Sequence, residues 1–341
     1  MKELTKQGVN INYGNSKFHK QTGLHVACLQ GHNEIVEYLL TFTQLVLNKR
    51  DEDGVTPLGA TCRVGNEEIA RILLKDGRIE VEGGDNSEKT PLWIACREGR
   101  VEIVKILLKD GRIKDLDRKN QQGRTAFWIA CAFGKAETAK ILLQDGRVNV
   151  NQGDREGKSP LWIASSEGKG EVVKALLQDE RIAVNQADIY QGTPLWIACY
   201  NGKEDIVRIL LRDKRIDVNK AGSNSNTPLA IACEKSYPEI VKLLVKDVRV
   251  DVNPRLSNGR VPLWIGCEKG REEIVEILLK CARVDVNHGD VLGMTPLWVA
   301  CQNGNEKITN IHKKTLIFNR FFEISLHSQN LYAYIFFYKK C

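Results

Sequence analysis

Thr90-Pro91-Leu92-Trp93-Ile94-Ala95-Cys96 is followed by a break at Gly99 and then by Ile103-Val104 and Leu107-Leu108. The same phrase recurs along the 341-residue chain. Its Thr-equivalent position falls at Thr22, Thr56, Thr90, Thr125, Ser159, Thr193, Thr227, Val261 and Thr295. Seven of the eight spacings are 34 residues and one is 35. A fixed period of this size marks a stacked array in which each unit buries its apolar face only against its neighbours. Such an array presents a long surface rather than a deep cleft, so the pattern bears on the class of function as well as on the fold.

Within one unit, Thr90 suits an N-cap whose hydroxyl accepts from an orphan backbone N–H, and Pro91 suits the first helical position, where no donor is needed. Leu92, Ala95 and Cys96 give a short first helix its apolar face, which Gly99 ends. A second helix follows, with Glu102 near its positive end and Ile103, Val104, Ile106, Leu107 and Leu108 as its buried stripe. Gly77, Gly111 and Gly146 read as left-handed stops for this helix in three repeats. A short extended segment comes next, as in Val148-Asn149-Val150-Asn151 or Ile216-Asp217-Val218-Asn219. An Asp/Gly turn such as Asp154-Arg155-Glu156-Gly157 then leads into the next Thr/Ser-Pro.

This unit resembles the ankyrin repeat, with its Thr-Pro-Leu-His-x-Ala phrase, Gly, Ile-Val-x-x-Leu-Leu and closing Val-Asn. The resemblance covers about residues 17 to 307. Two departures stand out: an extra residue between the Leu-Leu and Val-Asn elements, and a usually replaced His. The resemblance implies an all-α fold, an ankyrin-repeat solenoid of helix-turn-helix units joined by short β-turn or hairpin loops. Units are expected at 17–50, 51–84, 85–119, 120–153, 154–187, 188–221, 222–255 and 256–289, with a truncated ninth at 290–311. Residues 1–16, through Val9-Asn10-Ile11-Asn12, read as the remnant of a preceding repeat, and 312–341 as a non-repeat basic aromatic tail.

Three side-chain columns run through the repeats. Cys28, Cys62, Cys96, Cys131, Cys199, Cys233, Cys267 and Cys301 share one slot, which Ser165 fills in the remaining repeat. A slot shared by Cys and Ser after a small residue reads as tight helix packing, and no Cys-x-x-Cys pair suggests zinc. All six tryptophans (Trp93, Trp128, Trp162, Trp196, Trp264, Trp298) occupy the His slot, with His25, Gly59 and Ala230 elsewhere. In the family this His ties neighbouring repeats together, so the resemblance implies an inter-repeat position. The indoles would trade polar bonds for contact area, and a stacked ladder is favoured over an aromatic platform for bases or peptide. The third column is Arg78, Arg112, Arg147, Arg181, Arg215, Arg249 and Arg283, the first six with an Asp two residues earlier. It could grip phosphates, but the carboxylates cancel much of the field. Surface ion pairs or carbonyl caps at helix ends are favoured instead.

The net charge is +7, and +4 of it lies from Ile308 onward, so the array itself is near neutral and the charge balance does not call for nucleic acid. Unpaired thiols, the lack of a signal-peptide pattern at Met1 to Gly14 and the absence of any bilayer-length apolar run point to the cytoplasm, with the nucleus as alternative. The tail carries eight of the chain's 23 aromatic side chains, and its Leu331–Tyr338 run is too short to span a bilayer. Membrane contact is not expected except through that tail, which could lie on a membrane surface or cover the last repeat. Its Phe, Tyr, Ile, Lys and Asn content favours a third reading, translated intron or frameshifted sequence.

No phosphate loop, nucleophile elbow or metal-spaced His pair occurs, so no cofactor, metal or catalytic residue is assigned and no enzymatic activity is expected. Function in such arrays lives where the repeats differ. The exposed inner surface should consist of turn tips and the two residues before each inter-helix Gly. There Phe133, Ile189, Tyr190 and Tyr200 put aromatic or apolar groups at nominally wet positions, with Arg97, Arg124 and Arg155 as polar partners. The expected function is a non-catalytic, monomeric scaffold for protein–protein interaction through its concave surface. The alternative is a regulatory ankyrin segment truncated from a larger multidomain signalling enzyme.

Overall fold

Each Thr-Pro phrase starts a helix by the expected means. Thr90 adopts an extended backbone and its hydroxyl accepts from Trp93 N at 3.1 Å, with Pro91 in the first turn. Thr56, Thr125, Ser159, Thr227 and Thr295 cap their helices in the same way, whereas Val261 starts one with no side-chain cap. The computed structural model describes residues 10–313. They fall into two compact units. One runs to Ala198 and includes Arg208–Ile216; the other comprises Cys199–Val207 and the residues from Asp217 on.

In the first unit the first helices Gly23–Gln30, Pro57–Val64, Pro91–Glu98, Ala126–Ala132 and Pro160–Ser166 pack successively on one another. The second helices Asn33–Leu40, Glu67–Leu74, Val101–Lys109, Ala136–Asp145 and Gly170–Leu177 do the same, each also against its own first helix. The core between the two layers holds Leu92, Ala95, Cys96, Ile103, Val104 and Leu107 in one repeat and their equivalents in the next. In the second unit Pro228–Lys235, Pro262–Glu268 and Pro296–Gln302 form one layer, and Pro238–Lys246 packs on Glu272–Leu279. No strand occurs among the described residues, and the all-helical paired arrangement is the one the resemblance implies. The segments expected to be extended are turns instead. Val148 and Val150 are buried on one side of such a turn.

Turn tips are tied by their own carboxylates and by their neighbours. Asp154 Oδ1 accepts from Glu156 N and Lys158 N, as Asp51, Asp85 and Asp188 do at matching positions. Backbone bonds link successive tips: Asn86 N to Asp53 O, Gln121 N to Ser87 O, Arg155 N to Gln122 O and Ile189 N to Glu156 O.

The inter-helix glycines Gly31, Gly65, Gly99, Gly134 and Gly168 are left-handed. In the second unit Ser236 takes that position at φ 66°, a conformation that costs a residue with a Cβ about 1–2 kcal/mol. Gly111 and Gly146 are left-handed at the ends of second helices as expected, but Gly77 is not. The helix before it closes on Lys75 in right-handed geometry, so Gly77 is no left-handed stop.

Candidate protein-binding surface

The repeated columns are consumed by inter-repeat bonding. His25 accepts from Thr22 N at Nδ1, and its Nε2 meets Val55 O, in the next repeat, at 3.0 Å. Three indoles reach the equivalent carbonyl: Trp128 Nε1 to Lys158 O at 2.7 Å, Trp162 Nε1 to Gly192 O at 2.9 Å and Trp264 Nε1 to Met294 O at 2.9 Å. The expected trade of polar bonds for contact area is therefore corrected. The larger ring fills more of the inter-repeat space while its single N–H keeps the bond. Trp93 differs from these three; its buried Nε1 has no partner, and its repeat is the one spaced 35 residues from the next.

The Asp-x-Arg column performs both jobs expected of it at once. Each of Arg78, Arg112, Arg147, Arg181, Arg215 and Arg249 pairs with its Asp at 2.6–2.7 Å. The same guanidinium then reaches across the repeat boundary to a carbonyl in the last turn of the preceding second helix. Examples are Arg112 to Leu74 O at 2.9 Å, Arg181 to Leu143 O at 2.8 Å and Arg215 to Leu177 O at 2.7 Å. Hydrogen bonds from the arginines hold the carboxyls of Asp76, Asp110, Asp145, Asp179 and Asp247 below the usual aspartate range. A guanidinium so occupied has little left to offer a phosphate.

Sequence reasoning missed a further clasp, formed by the closing Asn. Asn151 Nδ2 donates to Arg181 O at 2.7 Å, and its Oδ1 accepts from Ala183 N at 2.8 Å. Asn48 and, in the second unit, Asn219 and Asn253 repeat this pair. Asn12 makes an equivalent pair with Gln44 O and Val46 N. The cysteine column is buried through Cys267, while Cys301 is exposed. Burial pushes the Cys28 thiol up to about 11 and Cys267 up to about 12, so these are inert packing groups rather than thiolates. Ser165, in the same slot, has a buried hydroxyl without a partner.

What breaks the repetition lies at the surface. Phe133, Ile189 and Tyr190 are 48%, 58% and 61% exposed. The Arg97 guanidinium lies over the Phe133 ring at 5.4 Å, so these two predicted residues meet. Arg124 and Arg155 line one open hollow of about 580 Å³ with Gln121, Gln122, Asp154 and Glu156. Ile189 joins this region through the backbone bond from its N–H to Glu156 O. Tyr200 belongs to the second unit, where Lys235 Nζ stands 4.3 Å from its ring.

A row of cations stacked on the tryptophans was missed. Lys89, Arg124, Lys158 and, in the second unit, Arg260 each precede the capping position by one residue. They lie 5.6, 4.6, 5.1 and 3.8 Å over Trp93, Trp128, Trp162 and Trp264, respectively. The recurrence of Lys or Arg four residues after the turn Asp or Asn in the first three of these, with Trp four further on, was the available signal.

The helix pairs, the capped Thr-Pro starts and the inter-repeat clasps define a helical repeat array with an exposed, irregular tip surface. The profile for ankyrin repeats in three copies matches residues 1–82, 24–116, 112–188, 180–255 and 248–311, and the chain belongs to this family. No curated protein matches the chain. Ankyrin repeats are generally protein–protein interaction modules and generally non-catalytic. Among the described residues no helix is long and apolar enough to cross a membrane. The expected tail spans residues 312–341, of which those from 314 on lie outside the described residues.

Proposed function

We propose that the chain is a non-catalytic scaffold that binds protein partners along its inner surface, the face of turn tips and first-helix ends, in the cytoplasm. One observation carries this reading: the Trp, Asp-x-Arg and closing Asn columns are spent on neighbouring repeats, whereas Phe133, Ile189 and Tyr190 are aromatic or apolar and exposed. Aromatic groups flanked by arginines are typical anchors of protein interfaces. Buried unpaired thiols fit a reducing compartment.

The test is affinity purification with mass spectrometry on the wild-type chain and on Phe133→Ala and Tyr200→Ala, with melting measured on each. Partners are expected to be lost at an unchanged melting temperature. Lost folding, or full retention of the partners, contradicts the reading.

A further inference from the structure

We propose that the inner face of the first unit takes an acidic partner segment in which carboxylates alternate with apolar or aromatic side chains. This rests on the protein-binding reading above and adds the chemistry of the partner.

Five cations, Lys89, Arg97, Arg124, Arg155 and Lys158, stand on this face. Four of them lie over an aromatic ring, at 4.6 to 5.6 Å from its centroid. A cation resting on an aromatic face is attracted by the ring quadrupole and held in place. Less side-chain freedom is then lost when a carboxylate arrives.

The internal carboxylates leave most of these charges unsatisfied. Lys89 to Asp85, Arg97 to Glu98 and Arg124 to Asp154 measure 3.8, 3.6 and 3.9 Å, all beyond hydrogen-bond length. The pairs of the Asp-x-Arg column, at 2.6–2.7 Å, show what a satisfied guanidinium looks like in the same chain. Arg124 Nε is buried without a hydrogen-bond partner, beside the hollow that Arg155 also lines. Lys158 is the exception, with Glu156 at 2.5 Å.

The mixture of signs selects a peptide over a nucleic acid. Glu98, Asp154 and Glu156 lie among the cations and would repel a continuous phosphate backbone, whereas an acidic segment can place each carboxylate against one cation. Phe133 and Ile189, about half exposed, offer apolar contact between the charged positions.

The probe is a fluorescein-labelled peptide repeating Glu-Glu-Leu-Asp-Glu-Phe, titrated with the full chain and followed by anisotropy. The same peptide with Lys at every acidic position and a labelled oligothymidylate serve as comparisons. The acidic peptide is expected to bind, and the double variant R124Q/K158Q to weaken it by about tenfold or more. Should that variant melt early, Lys89→Gln and Arg155→Gln replace it, since Lys89 holds only a loose pair and Arg155 is exposed. Absent binding, equal binding of the Lys peptide or oligothymidylate, or indifference to charge removal overturns the proposal. If the charge variants keep every captured partner while Phe133→Ala loses them, the acidic preference falls and the scaffold reading stands.

Discussion

His25 and the tryptophans answer the same question, how one repeat holds the next at this slot, with one ring N–H aimed at one backbone carbonyl. Trp162 makes this bond and Trp93 does not, although both are buried. Replacing Trp162 with Phe removes the N–H and its bond to Gly192 O, which keeps only the Asp188 N–H as donor, at a cost of about 1 kcal/mol. Trp93→Phe removes a donor that has no partner and should cost less, or stabilise slightly. Urea unfolding of the two variants checks the difference. Ser236→Gly should raise stability by about 1 kcal/mol, because the left-handed backbone no longer strains a Cβ. Thermal melting reads this directly. Repetition made the Trp slot legible in the sequence. The hydrogen bond was not, because the reach of an indole across a repeat boundary depends on how closely the helices stack.

Among the elements, the second helices depend on the arginine clasp. Each guanidinium neutralises its Asp and caps carbonyls where the preceding helix dipole is negative. Arg181→Ala should destabilise by about 1 kcal/mol, a value discounted because the pair is partly exposed. The pH dependence follows from the depressed aspartates. Their folded-state proton affinity is lower than in the unfolded chain, so their contribution is fully present above the unfolded value of about 3.9 and is lost as pH falls through the lower folded values. Wild type should lose this stability on acidification below about pH 4, and Arg181→Ala should lose less because part of the effect is already gone. Unfolding midpoints measured across that range test it. The Asp-x-Arg spacing revealed the ion pair in advance, and the helix-end carbonyls it serves were one of the two roles expected. The asparagine clasp escaped notice because Val-Asn reads as a consensus word until its amide is seen to bond on both sides.

For the molecule as a whole, most of what repeats in register serves packing, and the cations before the capping positions are the exception. The period, the capped starts and the buried cysteines were all readable in the sequence, since each follows from a local pattern repeated many times. The surface was only partly readable. Arg97 with Phe133, and Arg124 with Arg155, are brought together as their positions in the repeat suggested. Lys158 was expected at a turn tip but not over an indole, and Lys89 was passed over, because a cation before a capping Thr or Ser looks like ordinary turn polarity until it is placed over a ring. Tyr200 has its own cationic neighbour, Lys235, within the second unit.

The most direct measurement sets unfolding free energy beside binding of the acidic peptide for Trp162→Phe, which keeps to the repeated register, and Phe133→Ala, which departs from it. The predicted result is a crossed pattern: Trp162→Phe loses stability and keeps the peptide, and Phe133→Ala keeps stability and loses the peptide. Parallel losses in both variants, or loss of stability alone on changing Phe133, would contradict the account.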